Sequence, residues 1–182
     1  METLITRYLG GFGPASVRDM QAWSGLTRLR EVVDRMRPGL ATFRDEQGVE
    51  LFDRPDAPRP DPDTPAPPRF LPEYDNLLLS HADRSRVIPD GRKVPLYPGN
   101  GAALGTVLLD GTYRANWKLD RTGPRDRLII TPFARLNRAE RSSLQQEAQS
   151  LLSLLATGSR AGAHPGEAAR AGLVEIGSEC GT

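Results

Sequence analysis

The sequence predicts an α+β fold in two parts, and three observations predict it. Residues 3–53 read as three short amphipathic helices followed by a β-hairpin, the order of a winged helix. Residues 54–68 hold seven prolines and little that could be buried, so they separate the two parts as a stiff, extended linker. Beyond them Asp110-Gly111 lies between two β-prone runs, a hairpin signal, and an apolar stripe at helical spacing closes the pattern. The expected division is a winged helix-turn-helix domain over 1–57, a Pro-rich linker over 58–69, a β-rich domain with a C-terminal helix over 70–158 and a weakly ordered tail over 159–182.

Leu4, Ile5, Tyr8 and Leu9 recur at helical spacing and predict a first helix over 3–10, which Gly10, Gly11, Gly13 and Pro14 should end. Ser16-Val-Arg-Asp19 is a capping-box-like start, with Asp19 in place of the usual Glu or Gln. The second helix it opens carries Val17, Met20 and Trp23 inward, and Ser24-Gly25 turns the chain. Thr27 can cap a third helix, on which Leu29, Val32, Val33 and Met36 form one stripe; Arg37-Pro38-Gly39 stops it. Leu40–Arg44 and Val49–Phe52 flank a turn at Asp45–Gly48. In the second part, Val107–Leu109 and Tyr113–Leu119 flank Asp110-Gly111, and Arg127–Thr131 is a third strand. The stretch Leu78–Val87 fits helix or strand. Asn137 can cap a final helix over 138–155, with Leu144, Ala148, Leu151, Leu152 and Leu155 on its apolar face. Leu173–Ile176 could add an edge strand to the tail.

Composition excludes several classes. No apolar run is long enough to cross a membrane, and no basic stretch followed by an apolar one marks the N-terminus. The single cysteine, Cys180, leaves no internal disulfide, and a cytoplasmic protein fits. A net charge of +1 argues against indiscriminate nucleic-acid binding. Residues 1–57 carry eight Arg against nine Asp or Glu, and residues 70–158 carry twelve Lys or Arg against nine Asp or Glu, so the weak basic excess lies beyond the linker.

Four groups of residues are candidates for chemistry or binding. On the third helix Glu31 and Asp34 occupy the centre of the outward face, with Arg28, Arg30, Arg35 and Arg37 toward its flanks. Carboxylates there would meet a phosphate field unfavourably, and pairs at i,i+4 (Arg30–Asp34, Glu31–Arg35) fit a solvated helix. Arg28 and Arg35 remain its candidates for DNA contact. Trp23 fits packing between helices better than stacking on a base. Between Glu73 and Arg86, the groups Ser80, His81, Arg84, Ser85 and Arg86 are dense enough to contact phosphates; alternatively Asp83 pairs with Arg84 or Arg86 and nothing binds. No catalytic or metal constellation is present. His81 and His164 are the only histidines, no Gly-x-Ser-x-Gly elbow occurs, and Gly99, Gly101 and Gly105 lack dinucleotide-turn spacing and suit a strand-entry loop. Glu73 and Asp75 flank Tyr74 without a partner nucleophile. No cofactor is implied.

The run Arg69-Phe-Leu-Pro-Glu-Tyr-Asp-Asn-Leu-Leu-Leu-Ser-His-Ala-Asp-Arg-Ser-Arg-Val-Ile88 and the block Leu104-Gly-Thr-Val-Leu-Leu-Asp-Gly-Thr-Tyr-Arg-Ala-Asn-Trp-Lys-Leu119 are specific in combination. With Phe12-Gly-Pro-Ala-Ser16 and Ala22-Trp-Ser-Gly-Leu26 they extend a likeness over residues 3–156. The chain resembles the C-terminal half of winged-helix proteins related to bacterial alkylpurine and crosslink DNA glycosylases. The resemblance implies tandem winged helices closed by a β-rich domain and curved around duplex DNA, of which this chain holds the last winged helix and that domain. It implies base excision through a Gln-hydrophobic-Gln motif in an N-terminal module. No Gln-x-Gln occurs here, so no catalytic residue is expected.

The resemblance also places the Glu73–Arg86 segment near the concave, DNA-facing side. Three readings follow: a DNA-binding module without catalysis, contacting double-stranded DNA through His81, Arg84, Arg86 and Ser80; a portion of a DNA glycosylase; or a protein-interaction module. The charge distribution predicts contact on the side formed with the second domain rather than on the third helix.

Overall fold

Leu4, Ile5, Tyr8 and Leu9 draw the first helix onto an apolar cluster, and the helix runs further than its glycines suggest. The structure is a computed structural model that describes residues 1–92, 104–160 and 172–177. Within it α1 spans Glu2–Phe12, passing through Gly10 and Gly11. Each glycine costs about 1 kcal/mol of helix propensity, but both are exposed and Phe12 packs against the cluster of Ile5, Tyr8, Leu9 and Met20. Packing of the end residue outweighs the local preference. The helix stops at Gly13, whose amide donates to the Leu9 carbonyl at 2.9 Å. A side chain there has no room, because a Cβ would run into Asp53 Oδ1 and the Leu9 carbonyl.

α2 (Val17–Ser24) opens on the reciprocal capping box of Ser16 and Asp19 and ends at Gly25 in the left-handed region. α3 (Leu29–Met36) buries Leu29 and Val33. Thr27 does not cap it. Arg28 holds the N-cap position at φ 60° with no side-chain cap, and its guanidinium turns to Glu31 instead. β1 (Ala41–Arg44) and β2 (Glu50–Asp53) pair antiparallel. The Asp45 carboxylate holds their turn by accepting from the Gln47 and Val49 amides at 3.0 and 2.7 Å. Phe52 in turn exchanges backbone hydrogen bonds with Ala15 at 2.8 and 2.9 Å, which ties the hairpin to the start of α2.

The proline-rich stretch ends in a strand that composition hid. β3 (Arg69–Leu71) pairs with β4 (Gly105–Leu109), setting Phe70 opposite Val107. β5 (Thr112–Asp120) follows the Asp110-Gly111 turn. Both turn residues take positive φ, 49° and 69°, as a two-residue hairpin loop of this hand needs. β6 (Arg127–Pro132) and β7 (Leu173–Ile176) complete a five-stranded sheet of order β3-β4-β5-β6-β7, antiparallel except for the β6–β7 pair. α4 (Arg138–Arg160) lays Leu144, Ala148 and Leu152 against Val107, Ala115, Leu128 and Ile130. Asn137 starts this helix by a second reciprocal box with Glu140.

Leu78–Val87 is neither helix nor strand. It contains the end of one 3-10 turn, Asn76–Leu78, and otherwise irregular backbone. Both tryptophans are partly buried. Trp23 meets Tyr8 at 5.1 Å between ring centres, and Trp117 donates its indole N–H to the Leu71 carbonyl at 2.9 Å. Gly99, Gly101, His164, Cys180 and most of the predicted tail lie outside the described residues.

The chain divides into two compact units that differ from the expected domains. One comprises Met1–Thr64 with Asp75–Gly91, and the other Pro65–Tyr74 with Arg92–Thr182. Asp75–Gly91 belongs to the first unit because its polar groups are spent on α1 and α2. No helix of the described residues is long and apolar enough to cross a membrane, and none of their His, Cys, Asp or Glu side chains cluster to hold a metal ion.

Candidate functional site

Three consecutive residues pin the Asp75–Gly91 segment, each by a different group. The Ser80 carbonyl accepts from the Tyr8 hydroxyl at 2.6 Å. The His81 ring bridges the Phe12 carbonyl through Nε2 at 3.0 Å and the Ser80 hydroxyl through Nδ1 at 2.8 Å. The Ala82 amide donates to Asp19 Oδ1 at 2.9 Å. A carbonyl can only accept, so Nε2 carries the proton, and in the neutral ring Nδ1 takes the hydroxyl proton of Ser80. That hydroxyl also lies 2.9 Å from the Leu77 carbonyl, so its one proton serves two acceptors.

The ionisable groups of this cluster are shifted by their surroundings. Burial by itself would raise the Asp19 carboxyl, but hydrogen bonds from Ser16 and the Ala82 amide outweigh it and hold the group below the usual carboxylate range. Burial, followed by the Arg86 charge, pushes His81 below its ordinary value, against the opposing pull of Asp19. Burial and the Asp19 charge raise the Tyr8 phenol. The cluster is therefore set with Asp19 ionised and Tyr8 and His81 neutral at pH 7.

Beyond the pinned residues the chain turns outward. Asp83 accepts from the Ser85 amide at 2.9 Å, and Val87 and Ile88 donate to the Arg84 carbonyl. This turn exposes Arg84 and Arg86. Arg86 reaches toward the Pro14 carbonyl at 3.3 and 3.4 Å. Arg84 has no ion-pair partner within 4 Å among the described residues. A cleft of about 220 Å³ opens under the two arginines, with Phe12, Leu77, Val87 and Ile88 in its wall.

α3 presents a different surface. Arg28 pairs with Glu31 at 2.9 Å, and Arg30 lies between Asp34 at 3.9 Å and Glu50 at 3.6 Å. Arg37 also binds Glu50, whose carboxyl is held below the usual range, first by that hydrogen bond. Arg30–Asp34 is the expected pair. Glu31, expected to pair with Arg35, takes Arg28 instead, and Arg35 is left exposed and without an ion-pair partner among the described residues.

The family described as DNA glycosylase AlkZ-like matches residues 1–154. The chain belongs to this family. Among solved structures, the DNA glycosylase AlkZ of Streptomyces sahachiroi is similar to it, with a TM-score of 0.68 and 22% sequence identity over 96% of this chain and 45% of that one. At that identity the likeness concerns the fold, and the chain spans less than half the length of that relative. No curated protein matches it.

For this AlkZ-like chain the predicted contact residues separate into two kinds. Arg84, Arg86 and Arg35 are on the surface. Ser80 is fully buried and His81 spends both ring nitrogens inside the unit. The polar side-chain atoms of both are bonded within the unit. Arg28 is exposed but engaged by Glu31. Sequence reasoning missed Asp19 as part of this site, although its Ser-x-x-Asp spacing was visible. The spacing announces a cap and carries no sign of the bond to Ala82, 63 residues away.

Proposed function

We propose that this chain is a duplex-DNA-binding winged-helix protein whose contact runs through Arg84 and Arg86. The reading rests on one observation: two exposed arginines stand on backbone pinned at three successive residues. A guanidinium held on ordered backbone loses less freedom on meeting a phosphate, and charge-assisted contacts of this kind set register on the duplex without reading sequence. Membership of the AlkZ-like family supports DNA as the partner. In this reading α1, α2 and α3 with the β1–β2 hairpin are the winged helix. No residue is assigned to base excision, because the Gln-x-Gln pattern has no match in the chain.

Fluorescence anisotropy with a short labelled duplex at several salt concentrations tests this. If each arginine neutralises one phosphate, Arg84→Ala with Arg86→Ala flattens the slope of log K against log salt by about 2. No binding at low salt up to high micromolar protein defeats the reading. An unchanged slope, with binding lost in Arg28→Ala with Arg35→Ala, moves the contact to α3. The family match also favours a second reading, a portion of a DNA glycosylase. Release of an alkylated base from duplex by this chain alone establishes it.

A further inference from the structure

Asp19 is 5% exposed and its two oxygens face opposite tasks. Oδ2 accepts from the Ser16 amide at 2.8 Å and the Ser16 hydroxyl at 2.7 Å, which starts α2. Oδ1 accepts from the Ala82 amide at 2.9 Å, and Ala82 stands two residues before Arg84. A helix cap needs only the first oxygen. The second is spent on a segment that has no helix or strand ladder of its own. A buried carboxylate accepting a backbone amide is a charge-assisted bond, shorter and stronger than a neutral one, and its loss would leave the Ala82 amide without that partner.

We propose that Asp19 is the positioning residue for the arginine pair: one carboxylate starts α2 and fixes the backbone from which Arg84 and Arg86 project. Its charge is not itself a contact with DNA, since it lies buried. It acts through Ala82. This inference rests on the duplex-binding reading above.

Two variants separate positioning from helix capping. Ser16→Ala removes the capping hydroxyl and leaves Asp19 bonded to Ala82. Asp19→Ala removes both. Thermal unfolding, the salt slope of duplex binding and amide exchange at Ala82 are measured for each and for the wild type. The expected result is a lower Tm in both variants, a wild-type slope and a protected Ala82 amide in Ser16→Ala, and in Asp19→Ala a slope flattened by about 1 to 2 toward that of the double arginine variant, with fast exchange at Ala82.

A folded Asp19→Ala protein with wild-type slope and affinity overturns the proposal. A wild type that shows no salt-dependent binding defeats the duplex reading instead, and amide exchange then decides the positioning role without DNA. Should Asp19→Ala fail to fold, exchange in the wild type and Ser16→Ala decides: protection of Ala82 in both supports the bond, and exchange as fast as that of an open loop in the folded wild type overturns it.

Discussion

His81 shows at the scale of one residue how a polar side chain in a basic run became part of the interior. Its neighbours Arg84, Ser85 and Arg86 suggest a surface group, yet the ring packs 6.5 Å from the Tyr8 ring and satisfies the exposed end of α1 by donating to Phe12. Burial and Arg86 lower its pKa in the fold, while in the unfolded chain it titrates in the ordinary histidine range. The unfolded state therefore binds more protons between the two values. The contribution is fully present above the unfolded pKa and is lost as pH falls through the folded one. Urea unfolding of the wild type between pH 7.5 and 5.5 should show stability falling relative to His81→Gln. A relative gain on acidification would mean that Asp19 and Asp83 win over burial and Arg86.

At the scale of elements, reciprocal caps were readable and irregular segments were not. Ser16 with Asp19, and Asn137 with Glu140, bond within four residues, so local spacing suffices to find them. Asn137→Ala removes the acceptor for the Glu140 amide at the start of α4 and should cost about 1 kcal/mol, read as a lower Tm. A loss well above about 2 kcal/mol would show that the Arg114–Glu140 ion pair, 3.3 Å apart, depends on the cap. The end of α1, the strand β3 and the path of 75–91 escaped local reading for one shared reason. Each is set by partners far away in sequence: Phe12 by Trp23, Phe70 by Val107 and Trp117, and Ala82 by Asp19.

For the whole molecule the structural partition changes the charge argument. The unit holding Arg84 and Arg86 carries eleven Arg against fourteen Asp or Glu, a net −3, and the other carries thirteen Lys or Arg against nine Asp or Glu, a net +4. The pair thus belongs to the acidic unit, and the contact proposed for it would rest on local geometry rather than on the field of its own unit. Replacing Glu31 and Asp34 by Lys should raise affinity for duplexes of unrelated sequence alike and steepen the salt dependence. Anisotropy with two unrelated duplexes checks this, and a gain confined to one of them would make α3 a reader of bases.

The amino-acid sequence alone determined the α+β class, the helices, both hairpins, the β6 strand and final helix, and the family likeness, because these depend on periodicity, turn residues and contiguous motifs. Only the tertiary structure decided that Ser80 and His81 face inward while Arg84 and Arg86 face outward. Irregular backbone has no period to read, and its direction here follows from hydrogen bonds to Tyr8, Phe12 and Asp19 across more than sixty residues of chain.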